Sequence, residues 1–356
     1  MKLAIAGGGT GGHVFPAVAV AREWLARGPE REVLLIGTER GMEAKLVPEA
    51  GLPFAAIRAA GLKGIGGLRL LRNLALLGPG MADSAALLEQ HRFTAALGVG
   101  GYASGPFLLA AAMAAVPAVI FEPNAEPGFT NRVLSGLVRG LATAYPSTGA
   151  RLRGRAVLTG VPVRPAFFDI APKVHQAPFR VLITGGSQGS LVINRTVIDS
   201  LDLLLPEKNR YFFIHQSGER DYNAVRVAYA RREINAEVVP FISNMAEEFA
   251  RADLIVCRAG AITAAELAAA GRAAIFIPFG AATDSHQLRN AQALEAVGAA
   301  RVIPEPQLSP VRYVQEISSL LAEPARIEEM ERRARGLARP RAAADIVKLL
   351  EEVARP

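Results

Sequence analysis

The sequence predicts an α/β protein made of two Rossmann-like domains, each built on a parallel sheet. Three observations carry this. Short apolar runs alternate with helical patterns along the chain, as βαβ units require. The opening is repeated in the second half: Leu3-Ala-Ile-Ala-Gly-Gly-Gly-Thr-Gly-Gly12 and Val181-Leu-Ile-Thr-Gly-Gly-Ser-Gln-Gly-Ser190 both read as strand, glycine turn and helix start. The length of 356 residues also exceeds one ordinary core and suggests about two domains.

In chain order, Lys2–Ala6, Glu32–Ile36, Ala95–Val99 and Ala118–Phe121 read as strands of a first sheet. Arg180–Thr184, Arg210–Ile214, Glu237–Phe241, Leu254–Cys257 and Ala274–Ile277 read as a second. The proline-bearing stretch from Val161 to Pro178 is the expected linker. The expected domains are residues 1–162, which face acceptor and membrane, and 163–340, which bind a nucleotide-sugar. An amphipathic helix over 341–356 is expected to pack back on the first domain.

Composition narrows the function. Hydrophobic residues make up 51% and charged residues 21%, which suits a globular protein with large buried sheets. The single cysteine, Cys257, excludes an internal disulfide and ends a strand-like run, so a packed thiol is expected. The N-terminus runs into glycines before an export signal could form. The longest uncharged apolar stretch, Phe107 to Phe121, is broken by Pro117 and is shorter than the roughly 20 residues of a spanning helix. A soluble protein is expected.

The net charge of +7 is concentrated in the first half. Arg58, Lys63, Arg69 and Arg72 form one acid-free cluster, and Arg132, Arg139, Arg151, Arg153, Arg155 and Arg164 another. Such a face attracts phosphate groups. Within the first cluster, Leu68 to Leu77 sets apolar residues beside Arg69 and Arg72, a candidate patch for anionic lipid. Aromatic residues, at 6%, give little support to a base-stacking nucleic-acid binder.

Five motifs fall where strands hand over to helices, the place where ligands of open α/β sheets bind. Gly7-Gly-Gly-Thr-Gly-Gly-His13 offers backbone N–H groups and a helix dipole to an anion. Its glycines also satisfy the dinucleotide spacing, with Glu39 as a possible ribose acid, so an NAD(P) oxidoreductase is a rival reading. The second loop, Gly185-Gly-Ser-Gln-Gly189, breaks that spacing, and the doubling argues against the oxidoreductase. Arg258 to Glu266 is a third junction, with Glu266 able to accept from two vicinal hydroxyls. Gly98 to Pro106 and Phe121-Glu-Pro-Asn124 complete the set. No D-x-D and no ligand-spaced histidines are present, so the sequence supports no metal site.

Taken together, Gly8-Gly-Thr-Gly-Gly-His-Val-Phe-Pro16, Gly100-Gly-Tyr-Ala-Ser-Gly-Pro106, Gly185-Gly-Ser-Gln-Gly189 and Cys257-Arg-Ala-Gly-Ala-Ile-Thr263 resemble the MurG family of glycosyltransferases, in the same order and over nearly the whole chain. The resemblance implies a GT-B fold, with two Rossmann-like domains facing a central cleft. It implies an inverting transfer of N-acetylglucosamine from UDP-N-acetylglucosamine to the C4 hydroxyl of undecaprenyl-diphospho-N-acetylmuramoyl-pentapeptide. It further implies no cofactor, and peripheral attachment to the anionic cytoplasmic face of the plasma membrane. A UDP-N-acetylglucosamine 2-epimerase or another lipid glycosyltransferase of the same fold is the alternative.

By the same resemblance, the donor contacts would be Thr10, Gly11, Gly12, Asn124, Arg164, Ser187, Ile242, Ala261, Ile262, Thr263, Glu266 and Gln287. Ser187 would take phosphate, Ile242 the uracil, Glu266 the ribose diol, and Asn124 and Gln287 the sugar. Gly101, Tyr102 and Ser104 would receive the acceptor. His13 is the candidate general base, expected to be mostly neutral near pH 7 because a helix N-terminus disfavours imidazolium, and Glu122 is its rival. The chain departs from the family at Phe121 and Pro123, where His and Gln are usual, and at His286, where Gln is frequent.

Overall fold

A computed structural model describes residues 1–60, 76–280 and 285–355 of the chain. The expected lipid-facing stretch Leu68–Leu77 lies outside the described residues except for its last two positions. Two compact units divide the chain: Met1–Val163 together with Arg339–Pro356, and Arg164–Ala338.

The first unit holds seven strands: β1 (Lys2–Gly7), β2 (Glu32–Gly37), β3 (Phe54–Ala56), β4 (Ala95–Gly100), β5 (Ala118–Glu122), β6 (Gly140–Thr143) and β7 (Ala156–Leu158). They lie in the order β3-β2-β1-β4-β5-β6-β7, with every paired neighbour parallel. The second unit holds β8 (Phe179–Thr184), β9 (Tyr211–Gln216), β10 (Ala236–Val239), β11 (Leu254–Cys257), β12 (Ala274–Phe276) and β13 (Arg301–Val302). Their order, β10-β9-β8-β11-β12-β13, repeats the first six positions of the other sheet, again all parallel.

This repetition fixes where ligands can bind. In each sheet the strand order reverses beside the first strand, between β1 and β4 and between β8 and β11. The loops leaving those paired strands run to opposite sides and open a crevice at their carboxyl ends. The central strands are buried along their length, Leu3 to Ala6 and Leu254 to Cys257 included, so they read as unbroken apolar runs.

Packing closes each unit. In the first, the Trp24 ring is fully buried, donates through Nε1 to the Glu32 carbonyl at 2.9 Å, and carries the Arg31 guanidinium 4.3 Å from its centroid. The terminal helix Ala342–Ala354 belongs to this unit: Leu349 packs on β6 where Gly140 leaves room, and Arg31 pairs with Glu351 at 2.8 Å. In the second unit, a buried charge cluster ties the entering chain to the core. His175 Nδ1 lies 2.9 Å from Asp253 Oδ1 and its Nε2 lies 3.3 Å from Glu331 Oε2. Lys173 reaches Asp253 at 3.0 Å, and Arg272 reaches Glu331 at 3.4 Å. Burial works against a charge on His175, but the bonds to Asp253 and Glu331 outweigh it and push its pKa up to about 9.

Candidate active site

The loop after β1 has backbone angles that only glycine adopts readily: φ is +152° at Gly7, +151° at Gly8 and +88° at Gly9. It packs directly on the loop after β4, where Gly8 N–H donates to the Gly100 carbonyl at 3.2 Å. A Cβ on Gly101 would strike the Gly8 backbone. Thr10 is the N-cap of the helix Gly11–Leu25, and Gly11 and Gly12 form its first turn, where amides lack intrahelical partners.

His13 follows in that turn, half-buried. Its Nδ1 lies 2.9 Å from the Gly8 carbonyl and 3.3 Å from Thr10 Oγ1. A carbonyl only accepts, so Nδ1 carries the proton, and in the neutral ring the lone pair is on Nε2. Nε2 points at Gly100, where an added Cβ would sit at 2.9 Å.

Glu43, which the sequence reading passed over in favour of Glu39, underpins this loop. Glu39 is exposed, whereas Glu43 is 3% exposed. Its carboxylate accepts from Gly9 N–H at 2.7 Å, Thr38 N–H at 2.9 Å and the Thr38 hydroxyl at 3.0 Å. Cβ atoms on Gly8, Gly37 or Gly41 would collide with it. An anion on Gly9 N–H stands where the dinucleotide pattern would seat a pyrophosphate, which opposes that reading.

Glu122 ends β5 and is 1% exposed. It accepts from Asn124 N–H and Nδ2 at 3.0 Å each, and from Gly128 N–H and Asn131 Nδ2 at 2.8 Å each. Four donors on two oxygens organise the turn that carries Asn124, the task of a positioning group. Asn124 itself is half-buried beside it. Tyr102 is exposed after β4, while Ser104 is fully buried at the start of the helix Ser104–Met113.

The second unit carries the other candidates in the segments that follow β8, β10, β11 and β12, with Arg164 at its start. Ser187 is exposed in the loop after β8, and Ser190 caps the helix Leu191–Leu204 by accepting from Ile193 N–H. Ala261, Ile262 and Thr263 form the first turn of the helix Ala261–Ala270. Arg258 joins these two helix starts: it donates to Ser190 Oγ at 2.7 Å and the Ile277 carbonyl at 3.0 Å, and pairs with Glu305 at 2.6 Å.

Glu266, in the next turn, is mostly buried and meets Arg164 Nη2 at 3.1 Å. Burial raises its pKa to about 7 against the pull of Arg164. Gln287 Oε1 accepts from Phe279 N–H at 2.9 Å. Ile242 N–H donates to Gln216 Oε1 at 3.1 Å, and Gln216 Nε2 donates to the Gly186 carbonyl at 2.7 Å. Gln216 thus links the segment around Ile242 to the glycine loop, and no local motif announces it. Buried Cys257 has its thiol pKa pushed up by burial, which makes it inert. Among the described residues no cluster suited to a metal ion is found.

Two parallel sheets of one topology, each with a glycine loop and a helix start at its reversal point, make this a two-domain Rossmann-like α/β protein, and the comparisons give the class. Residues 3–143 match the glycosyltransferase family 28 N-terminal domain, and residues 180–349 match the family's C-terminal domain. A Myxococcus xanthus protein named UDP-N-acetylglucosamine–N-acetylmuramyl-(pentapeptide) pyrophosphoryl-undecaprenol N-acetylglucosamine transferase is 43% identical over 97% of this chain and 91% of its own. An Anaeromyxobacter protein of the same name is 42% identical over 100% of this chain and 94% of its own. The crystal structure of Acinetobacter baumannii MurG superposes with a TM-score of 0.80 at 31% identity, covering 99% of both chains. The chain belongs to the MurG family of glycosyltransferases.

Proposed function

We propose that this protein moves N-acetylglucosamine from UDP-N-acetylglucosamine to the C4 hydroxyl of undecaprenyl-diphospho-N-acetylmuramoyl-pentapeptide, forming lipid II in peptidoglycan synthesis. The observation that carries this is the 43% identity over 97% of the chain to a transferase of that name. The site geometry supplies the chemistry. Glu266 accepts the ribose hydroxyls, beside Arg164. The segment at Ile242 reads the uracil. The loop at Ser187 and the first turn Ala261–Thr263 hold the diphosphate, with Gln287 and Asn124 on the sugar. Thr10, Gly11 and Gly12 complete the donor contacts, and Gly101 and Tyr102 receive the acceptor, whereas Ser104, expected there from the resemblance, is fully buried with its hydroxyl against Gly98 and is left out of the site.

The reaction is a single inverting displacement. His13 Nε2 takes the proton of the acceptor hydroxyl as its oxygen attacks the anomeric carbon and UDP leaves. The leaving diphosphate gains charge, which helix N-termini and loop amides stabilise. Glu122, spent on four donors, supports the site rather than acting as the base.

Attachment is to the cytoplasmic face of the plasma membrane, through the first unit. No helix among the described residues is long and apolar enough to cross a membrane. The neighbouring helices Ser104–Met113 and Phe129–Leu134 and the turn after them expose Leu109, Met113, Phe129, Val133 and Leu137 near Arg132, which suits an anionic lipid surface.

A thermal-shift screen tests the donor assignment. UDP-N-acetylglucosamine at about 100 times its Kd stabilises the fold by about 2.7 kcal/mol. A shift with NADPH and none with UDP-sugars would reject the assignment.

A further inference from the structure

We infer that Glu43 is a positioning residue for the base, acting on His13 through the peptide group between Gly8 and Gly9. The N–H of that peptide unit donates to Glu43 Oε2 at 2.7 Å. The C=O of the same unit accepts from His13 Nδ1 at 2.9 Å. Carboxylate, peptide and imidazole therefore form one chain of hydrogen bonds, with the peptide placed between an acid and a histidine.

The chain has a direction. A carboxylate drawing on the N–H polarises the amide and makes its carbonyl a stronger acceptor. A stronger acceptor at Nδ1 holds the proton on that nitrogen, leaves the lone pair on Nε2, and stabilises the imidazolium formed during transfer. Hydrogen-bonded chains in low dielectric strengthen one another in this way.

The surroundings keep the relay in register. Glu43 is 3% exposed, and its remaining hydrogen bonds come from the amide and hydroxyl of Thr38. Gly8, Gly37 and Gly41 line the pocket because any side chain there would collide with the carboxylate. Among the described residues the donors to Glu43 are the Gly9 N–H and the amide and hydroxyl of Thr38, with no Lys or Arg within ion-pair distance.

The inference rests on His13 as the base, and the test separates the two. Rates are measured with UDP-N-acetylglucosamine and the lipid-linked acceptor for the parent, Glu43→Gln, His13→Ala and the double variant. Glu43→Gln is expected to lower kcat about tenfold, to change donor KM less than threefold, and to move the acidic limb of the kcat profile to lower pH. In the His13→Ala background it is expected to cost nothing further.

A Glu43→Gln loss that is equal in both backgrounds, or an unmoved acidic limb, overturns the relay. A His13→Ala variant that keeps most of its kcat overturns the base assignment and the relay with it. Should Glu43→Gln not fold, ¹⁵N NMR of the parent's His13 ring decides. The relay requires the neutral ring to be protonated at Nδ1, and protonation at Nε2 overturns it.

Discussion

Glu266 offers the sharpest link between burial and binding. It lies in the second turn of the helix Ala261–Ala270, mostly buried, with Arg164 3.1 Å from one oxygen. Burial raises its pKa to about 7, Arg164 only partly opposing. A carboxylate can accept from both ribose hydroxyls, whereas the protonated acid has one oxygen committed as a donor. With a midpoint near 7 the ionised fraction is about 90% at pH 8 and about 10% at pH 6. Apparent affinity scales with the competent fraction, so UDP should bind about tenfold more weakly at pH 6 than at pH 8. The phosphate of UDP titrates in the same range, but it does so equally for a variant. The assay is therefore calorimetric titration of parent and Glu266→Gln at both values. The ratio of their affinities should change about tenfold with pH, because the amide does not ionise. Parallel pH dependence in the two proteins would refute the reasoning.

Other consequences follow from single contacts. The folded-state pKa of His175, about 9, lies above the ordinary value near 6.5. Its stabilisation is therefore fully present below about pH 6.5 and lost as pH rises through 9, so His175→Gln should cost about 3 kcal/mol of unfolding free energy at pH 6 and much less at pH 9.5 by denaturant titration. Gly100→Ala puts a Cβ 2.9 Å from His13 Nε2 at a φ of +91°, and should lower kcat strongly while leaving UDP affinity within about twofold. Leu349→Ala, in the buried face of the terminal helix, should destabilise the first unit by about 2–5 kcal/mol in thermal unfolding.

The sequence made most of the long buried strands legible. β1, β2, β4, β5, β8, β9, β11 and β12 all stand within a residue or two of the expected runs, because an all-parallel sheet leaves an unbroken apolar stretch. β3, β6, β7 and β13 escaped because they are two to four residues long and rich in alanine, glycine or arginine. β10 ends at Val239 rather than Phe241, since Pro240 has no N–H to continue the ladder.

Glycine loops were visible for a related reason: positive φ at Gly7 to Gly9, Gly100, Gly101, Gly186 and Gly189 demands that residue type, and the demand is written in the sequence. The side chains that hold those loops were not. Glu43, Gln216 and Asn131 act on partners brought close only by folding, Gln216 on a carbonyl 30 residues away, and no periodicity marks them. Glu39 looked suitable by its distance from β2, yet the chain turns so that the acid four residues later is the one buried.

The proposed chemistry meets its most direct test in product analysis. The purified protein, incubated with UDP-N-acetylglucosamine and the undecaprenyl-linked acceptor, should release UDP in step with a β-1,4-linked disaccharide, identified by mass spectrometry and by the anomeric NMR coupling. His13→Ala should slow that release by about 10²–10⁴ with little change in donor KM. Retained configuration at the anomeric carbon, or conversion of the donor to its 2-epimer without an acceptor, would contradict the account.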